Sequence, residues 1–259
     1  MKPFPCLLSI VSFLFLSVPV LGQPPQMERP SPWSVGVIVL TDSQPYTNAD
    51  GIVRVFPSVV YRGEKLQVLG PLVRYKFYKN EWVTLNANAA VQFTPYEEGD
   101  SDILNGLDEP DPTLIGGVSA RVSLRQLDLP MLSLTFTAEG DLLGEHNGLQ
   151  ATAGAEYTFG KPWLPLSGGL GAGVLVQDDN WTDYFVGVPV SKQTEDRAAY
   201  DASSSVNPYL TFRLMLRFTP SWSLMGIARL ELLDPSYTDS PLVSDDTRTT
   251  TFVGLNYTF

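Results

Sequence analysis

Cysteine is almost missing. The chain has one, Cys6, and it lies in an apolar N-terminal segment. Past that segment neither a disulfide framework nor a thiolate metal site is available to hold a fold together. Histidine is as scarce, with His146 alone. Basic residues are few: 17 Lys and Arg stand against 28 Asp and Glu, a formal net charge of −11. That balance disfavours nucleic acid as a partner. Beyond the N-terminus no apolar run approaches the ~20 residues that a spanning helix needs, which excludes a helical membrane bundle. A membrane β-barrel is not excluded, because alternation within its strands cancels in any average. The mean hydropathy is +0.01.

The N-terminal segment reads as a secretory leader, Met1–Gly22. Lys2 supplies the positive start, Cys6–Val18 the apolar core, and Val20-Leu-Gly22 a small-residue cleavage site. Gln23–Pro32, with Pro24, Pro25, Pro30 and Pro32, reads as an extended lead-in. The remainder, 33–259, reads as one all-β domain without a dividing linker. An exported chain with no disulfides needs another stabilising device. Closing a sheet into a ring, which abolishes open strand edges, is one.

Two-residue alternation appears at Trp33–Thr41, Ile52–Tyr61, Lys65–Gly70, Leu72–Tyr78, Trp82–Gln92, Thr113–Arg125, Met131–Gly140, Leu149–Phe159, Leu164–Val176, Val206–Phe218, Trp222–Leu233 and Arg248–Phe259. Several of these reach the length of about ten residues that crosses a bilayer at a tilt. The expected fold is therefore an all-β transmembrane antiparallel barrel of about 12 strands. The third and fourth segments are short and read as one bent strand or a tight hairpin at Gly70-Pro71, so 10–12 is the range. Connections alternate between tiny turns and long loops, and the long loops hold most of the acidic residues, as in Phe93–Pro112. Outer-membrane barrels sort their connections in this way, with short turns in the periplasm and long loops outside. A soluble sandwich has no reason to.

Face by face, the strands carry lipid-like side chains on one side and Thr, Ser, Asn, Gln and Arg on the other. In the last strand Val253, Leu255, Tyr257 and Phe259 share the oily face. Barrels of this class end on an aromatic residue that the outer-membrane assembly machinery reads, so these four are the expected assembly signal. The register assigns Arg54, Arg74, Lys76, Arg121, Arg125, Arg213, Arg217 and Arg229 to a watery lumen, with Glu139, Glu156 and Glu231. Such a lumen reads either as an anion-favouring field or as Arg–Glu pairs that stiffen the interior.

Other motifs are weaker. His146 could serve a hydrolase triad with Ser133 or Ser123, but a solvated loop histidine is the simpler reading, and no enzyme is expected. Asp100, Asp102, Asp108 and Asp111 crowd one loop and form a candidate site for a cation that would bridge lipopolysaccharide phosphates. Their spacing is not that of an EF-hand, and self-repelling solvated carboxylates explain them equally. Gly168–Gly173 lacks nucleotide-loop spacing and reads as close approach in a barrel wall. Trp82, Trp163, Trp181 and Trp222 lie near expected strand ends, where an interface girdle would place them. No cofactor is implied.

With these features on the page, the chain resembles the MipA/OmpV family of outer-membrane proteins. The similarity is carried by Trp33-Ser-Val-Gly-Val37, Asn105-Gly-Leu-Asp108 with Asp111-Pro-Thr113, Tyr184-Phe185 with Gly187-Val188, Tyr200-Asp-Ala202 and Tyr257-Thr-Phe259. Val186 interrupts the Tyr-Phe-Gly-Val pattern of the family. The resemblance implies a barrel in the Gram-negative outer membrane with its termini in the periplasm. It further implies a scaffold that brings a murein-cleaving lytic transglycosylase together with a murein synthase. Other members are adhesins, porin-like proteins or antigens, so a small-solute channel and a surface adhesin stay open as alternatives. Membrane lipid and lipopolysaccharide are the expected surroundings.

Overall fold

The computed structural model describes residues 31–259 apart from 98 and 161–163. The expected leader, residues 23–30 of the lead-in, and Trp163 lie outside the described residues. The described residues form twelve strands: β1 (Trp33–Asp42), β2 (Ile52–Arg62), β3 (Leu66–Leu69), β4 (Leu72–Lys79), β5 (Val83–Gln92), β6 (Thr113–Ser123), β7 (Leu132–Asp141), β8 (Leu149–Gly160), β9 (Leu166–Gln177), β10 (Ser205–Arg217), β11 (Trp222–Leu232) and β12 (Thr247–Thr258). Each pairs antiparallel with its sequence neighbour, and β12 returns to β1 to close the ring. The closing register runs from Ser34 opposite Thr258 to Asp42 opposite Thr250. In hydrocarbon every unpaired backbone group costs several kcal/mol, so closure is what lets this sheet span lipid.

The burial pattern is inverted relative to a soluble protein. Outward side chains such as Val37, Phe136, Leu210 and Leu255 are exposed, while Ser34, Ser58, Asn207 and Asn256 are among the most buried residues. Water is not the solvent that this outer face is built for. The glycines of β9 fit the wall. A Cβ on Gly173 would stand 2.6 Å from the Tyr209 hydroxyl, so an inward tyrosine takes the space that the side chain would need. A nucleotide loop is not formed there.

The short segments resolve into a hairpin. β3 and β4 pair with each other from Leu66 opposite Tyr75 to Leu69 opposite Leu72. The turn between them passes through Gly70 at φ +62, a conformation that glycine adopts without penalty. Because β3 is so short, it pairs with β2 only at Val60–Arg62. Among the described residues Ile52–Val59 has β1 on one side and no strand on the other. A loop packs against its inward face. Phe93 packs 6.2 Å from the Phe56 ring, Arg54 lies 5.3 Å over Phe93, and Arg54 pairs with Glu97 at 3.3 Å.

Two expected boundaries shift. β6 stops at Ser123, so Arg125 falls in a 3-10 turn, Arg125–Leu127, and leaves the barrel wall. That turn is closed by Asp128 in the left-handed region, which the short side chain of aspartate tolerates. The long loops also hold two helices that strand periodicity did not reveal: α1 (Asp179–Val186) and α2 (Pro235–Thr238). Each begins on an aspartate. Asp178 accepts from the Trp181 N–H at 2.9 Å, and Asp234 accepts from the Ser236 N–H at 2.9 Å with Pro235 at the first helical position.

Candidate functional site: a capped and charged lumen

The main apolar core lies in the long loops, at one end of the barrel. Eleven side chains, each 0–9 % exposed, form one cluster: Tyr46, Tyr96, Leu104, Trp181, Phe185, Val186, Val188, Ala202, Tyr237, Leu242 and Val243. They come from four of the long connections and together roof the loop end. Polar ties lock the roof. The Tyr46 hydroxyl donates to the Phe185 carbonyl at 2.9 Å, and that of Tyr237 to Gln177 Oε1 at 2.9 Å. Arg197, 4 % exposed, donates to the Asn105 and Lys192 carbonyls at 3.0 and 2.8 Å. Burial pushes the Tyr96 and Tyr184 hydroxyls up to about 12, so both stay protonated donors.

The segments that carry the family resemblance meet in this roof. Tyr184 donates its hydroxyl to the Asp111 carbonyl at 2.7 Å. Val188 and Tyr200 form a two-residue bridge, and the Ala202 N–H donates to Asp183 Oδ1 at 3.0 Å. Trp181, expected at a membrane girdle, is instead buried here, because the loop that holds it folds into α1. Trp82 and Trp222 are exposed at strand starts.

His146 belongs to the same roof. Its Nδ1 accepts from the Gly148 N–H at 2.9 Å, which leaves the proton on Nε2, and its ring lies 4.6 Å from Tyr184 and 4.8 Å from Trp181. Burial lowers its pKa, opposed by Asp141, Asp178 and Glu145. The solvated-loop reading is therefore corrected: the ring is packed. A triad is not assembled either. Ser133 and Ser123 lie opposite one another where β6 and β7 approach their short turn, at the far end of the barrel from His146.

The crowded aspartates do not gather into one site. Asp100 accepts from the Glu97 N–H at 2.8 Å and from Gln44 Nε2 at 3.0 Å. Asp102 accepts from Asn105 at 3.3 Å. Asp108 pairs with Lys192 at 2.7 Å, and the Asp111 carbonyl, not its carboxylate, is the group that the roof uses. Among the described residues no group of three or more His, Cys, Asp or Glu side chains is placed to hold a metal ion. The spacing repels, and local caps and one lysine absorb the charge.

Below the roof, the lumen pairs its charges. Glu156 receives Arg121 Nη1 at 2.7 Å and also contacts Arg213 Nη2. Arg229 Nε lies 2.5 Å from Glu231, with its guanidinium 4.0 Å over Tyr209. Arg74 donates to Asn88 at 3.3 Å, and Lys76 to the Glu64 carbonyl at 2.9 Å. Arg217 is exposed at the end of β10. Of the two readings of the lumen, paired charges describe most of it. One pair was missed from the sequence: Arg248 grips Asp42 through Nη2 and Nε at 2.6 and 2.9 Å. The signal was the parity of β12, where even positions face inward.

At the short-turn end a hollow of about 550 Å³ opens beside Lys79, Glu81, Trp82, Arg121, Arg125 and Gln126. The Gln126 amide donates to Glu81 at 3.0 Å across it. The oily face of β12 lies at the same end, where Tyr257 stacks edge-on against Trp222 and Phe259 at 5.2 and 5.5 Å.

The chain is similar to several known proteins. An MltA-interacting protein of Escherichia coli strain K12 is 26% identical over 88% of this chain and 90% of its own length. A putative outer membrane protein, YiaT, of the same strain is 23% identical over 87% and 90%. An outer membrane protein of Vibrio anguillarum, Omp26La, is 23% identical over 71% and 69%. Among solved structures, an outer-membrane channel of Pseudomonas putida F1 aligns over 92% of this chain and 100% of its own, at 11% identity and a TM-score of 0.41. Residues 35–259 match the family described as MltA-interacting protein MipA. The chain belongs to that family and is a β-barrel of the Gram-negative outer membrane.

Proposed function

We propose that this protein is a non-enzymatic scaffold that holds a lytic transglycosylase, and through it a murein synthase, against the inner face of the outer membrane. The observation that carries the reading is the difference between the two ends. The loop end is roofed by a packed apolar core. The turn end, periplasmic in barrels of this class, presents an open hollow edged by Lys79, Glu81 and Arg125 with Trp82 between them. Charges around an aromatic anchor are what a protein-docking rim uses. The family is named for interaction with MltA, a lytic transglycosylase, and only the turn end reaches the compartment where such an enzyme meets murein. The roof speaks against an open small-solute pore as the primary role.

The test is a crosslinking pull-down from intact envelopes. Charge reversal at Lys79→Glu with Arg125→Glu is expected to cut recovery of the transglycosylase about tenfold, while shortening 105–111 leaves recovery unchanged. If only the loop deletion lowers recovery, the scaffold reading gives way to adhesion. Conductance steps above leak from the intact protein in planar bilayers would favour the channel instead.

A further inference from the structure

Under the roof, the lumen wall holds a half-open cavity of about 200 Å³. Its polar wall includes Glu231, Arg248, Gln177, Gln92, Trp181 and Arg229, and its apolar wall includes Ile115, Leu175 and Leu233. Gln92, Trp181 and Arg229 share a peculiarity. Gln92 Nε2 and Oε1, Trp181 Nε1, and Arg229 Nε and Nη2 are buried without a hydrogen-bond partner. Seven side-chain atoms among the described residues are in that state, and five of them belong to this cavity. Arg229 Nε has Glu231 at 2.5 Å, so its charge is met even though the bond is not aligned. Its Nη2 has neither. Trp181 is 3 % exposed, and its indole N–H is buried.

Buried donors without acceptors are costly, and native structures rarely keep several together unless another molecule supplies the missing atoms. Here the unmet groups are mostly donors: the guanidinium Nη2 of Arg229, an indole N–H and an amide NH2, against one amide oxygen. Planar, two-pronged acceptance of guanidinium and neighbouring N–H groups is the chemistry of a carboxylate. The guanidinium is already oriented, pinned by Glu231 on one edge and by the Tyr209 ring on one face. The second arginine in the wall, Arg248, is gripped by Asp42 through both Nη2 and Nε, whereas Arg229 meets Glu231 through Nε alone, which leaves Arg229 Nη2 as the guanidinium nitrogen that a ligand would meet. The opposite wall is hydrocarbon. The volume holds roughly seven groups the size of a water molecule. We infer that the cavity is a binding site for a small organic monocarboxylate of a few carbons, its carboxylate on Arg229 and Trp181 and its chain against Ile115, Leu175 and Leu233.

The inference stands apart from the scaffold reading, since it uses the opposite end of the barrel. The test is isothermal titration calorimetry on the full chain refolded in detergent, with butyrate as the probe and butyramide as its neutral counterpart. Saturable binding of butyrate is expected, with butyramide at least tenfold weaker. Arg229→Gln is expected to weaken butyrate at least tenfold. Trp181→Phe keeps the ring that the roof packs on and removes only the N–H, and a severalfold loss is expected. Heat-modifiable gel migration checks that each variant is folded. No saturable butyrate binding, equal binding of butyramide, or unchanged affinity in a folded Trp181→Phe together with a folded Arg229→Gln would each overturn the assignment, the cavity then holding water alone.

Discussion

Trp181→Ala is the sharpest test of the roof as a separate structural unit. The indole is almost fully buried and lies on α1 between His146 and the rest of the apolar cluster. Removing a buried Trp or Phe side chain costs about 3–5 kcal/mol. The strands below are held by ladders that do not involve this residue, so the loss should fall on closure of the roof. At about 1.4 kcal/mol per tenfold, the open population should rise by a factor of roughly a hundred to several thousand. Limited proteolysis reads that population when opening and closing are fast relative to cleavage. Cleavage within 178–204 should accelerate by at least a hundredfold, while the heat-modifiable gel shift of the barrel is kept. Acceleration of less than tenfold would mean that the roof is not held by this core. Loss of the gel shift together with the roof would mean that roof and barrel fold as one unit.

Two further outcomes follow from the same region. Gly148→Ala places a Cβ 2.6 Å from both the Trp181 backbone nitrogen and His146 Nδ1; backbone cannot yield cheaply, so about 1–3 kcal/mol of roof stability should be lost, measured by the same cleavage rate. The roof should also loosen on acidification. Burial holds the folded His146 pKa below its ordinary value, so between the unfolded pKa of about 6.5 and the lower folded one the unfolded segment binds the extra proton, and stability falls as pH falls through that window. Asp183, whose carboxyl is raised by burial, acts in the opposite sense. His146→Gln isolates the histidine: cleavage that quickens between pH 8 and pH 5 in the parent should lose that component in the variant, and an unchanged pH profile would refute the assignment.

The barrel was legible because its period is two and its loops sort by end. Leu210, Phe212, Leu214 and Leu216 write one face of β10 directly into the sequence, and antiparallel neighbours can be joined by turns of only a few residues. The roof was not legible, because its contacts join segments distant along the chain and follow no period. Tyr46 meets Phe185, and Arg197 meets Asn105. Seen as loops, Trp181 looked like a girdle residue and His146 like a solvated one. Only the aspartates at 178 and 234, each an N-cap residue ahead of its helix, carried a local sign that these loops hold structure. Arg125 was misplaced for a simpler reason: alternation continued two residues past the true end of β6, and nothing in the pattern marks where a ladder loses its partner.

The break in the wall beside β2 explains a proline that a spanning strand should not contain. Arg62 donates its N–H to Pro32 on the β1 side at 2.7 Å. By alternation Tyr61, Val59, Pro57, Val55 and Val53 turn their backbone groups to the other edge. Tyr61 reaches β3, but Val53 and Val55 find no backbone partner among the described residues, and their side chains face outward. An open edge in lipid invites a second strand. Pro57 interrupts that edge by removing a donor that would otherwise be left unmet, and Phe93 with Arg54 and Glu97 covers the inward side. Pro57→Val should restore the unpaired N–H at a cost of about 1–3 kcal/mol. The barrel has two ways to respond, and each leaves a readable trace: a lower temperature for the heat-modifiable transition, or edge pairing between two copies seen by light scattering in detergent. A variant that stays monomeric with an unchanged transition would show that this edge is already satisfied, and the break in the wall would then be no break at all.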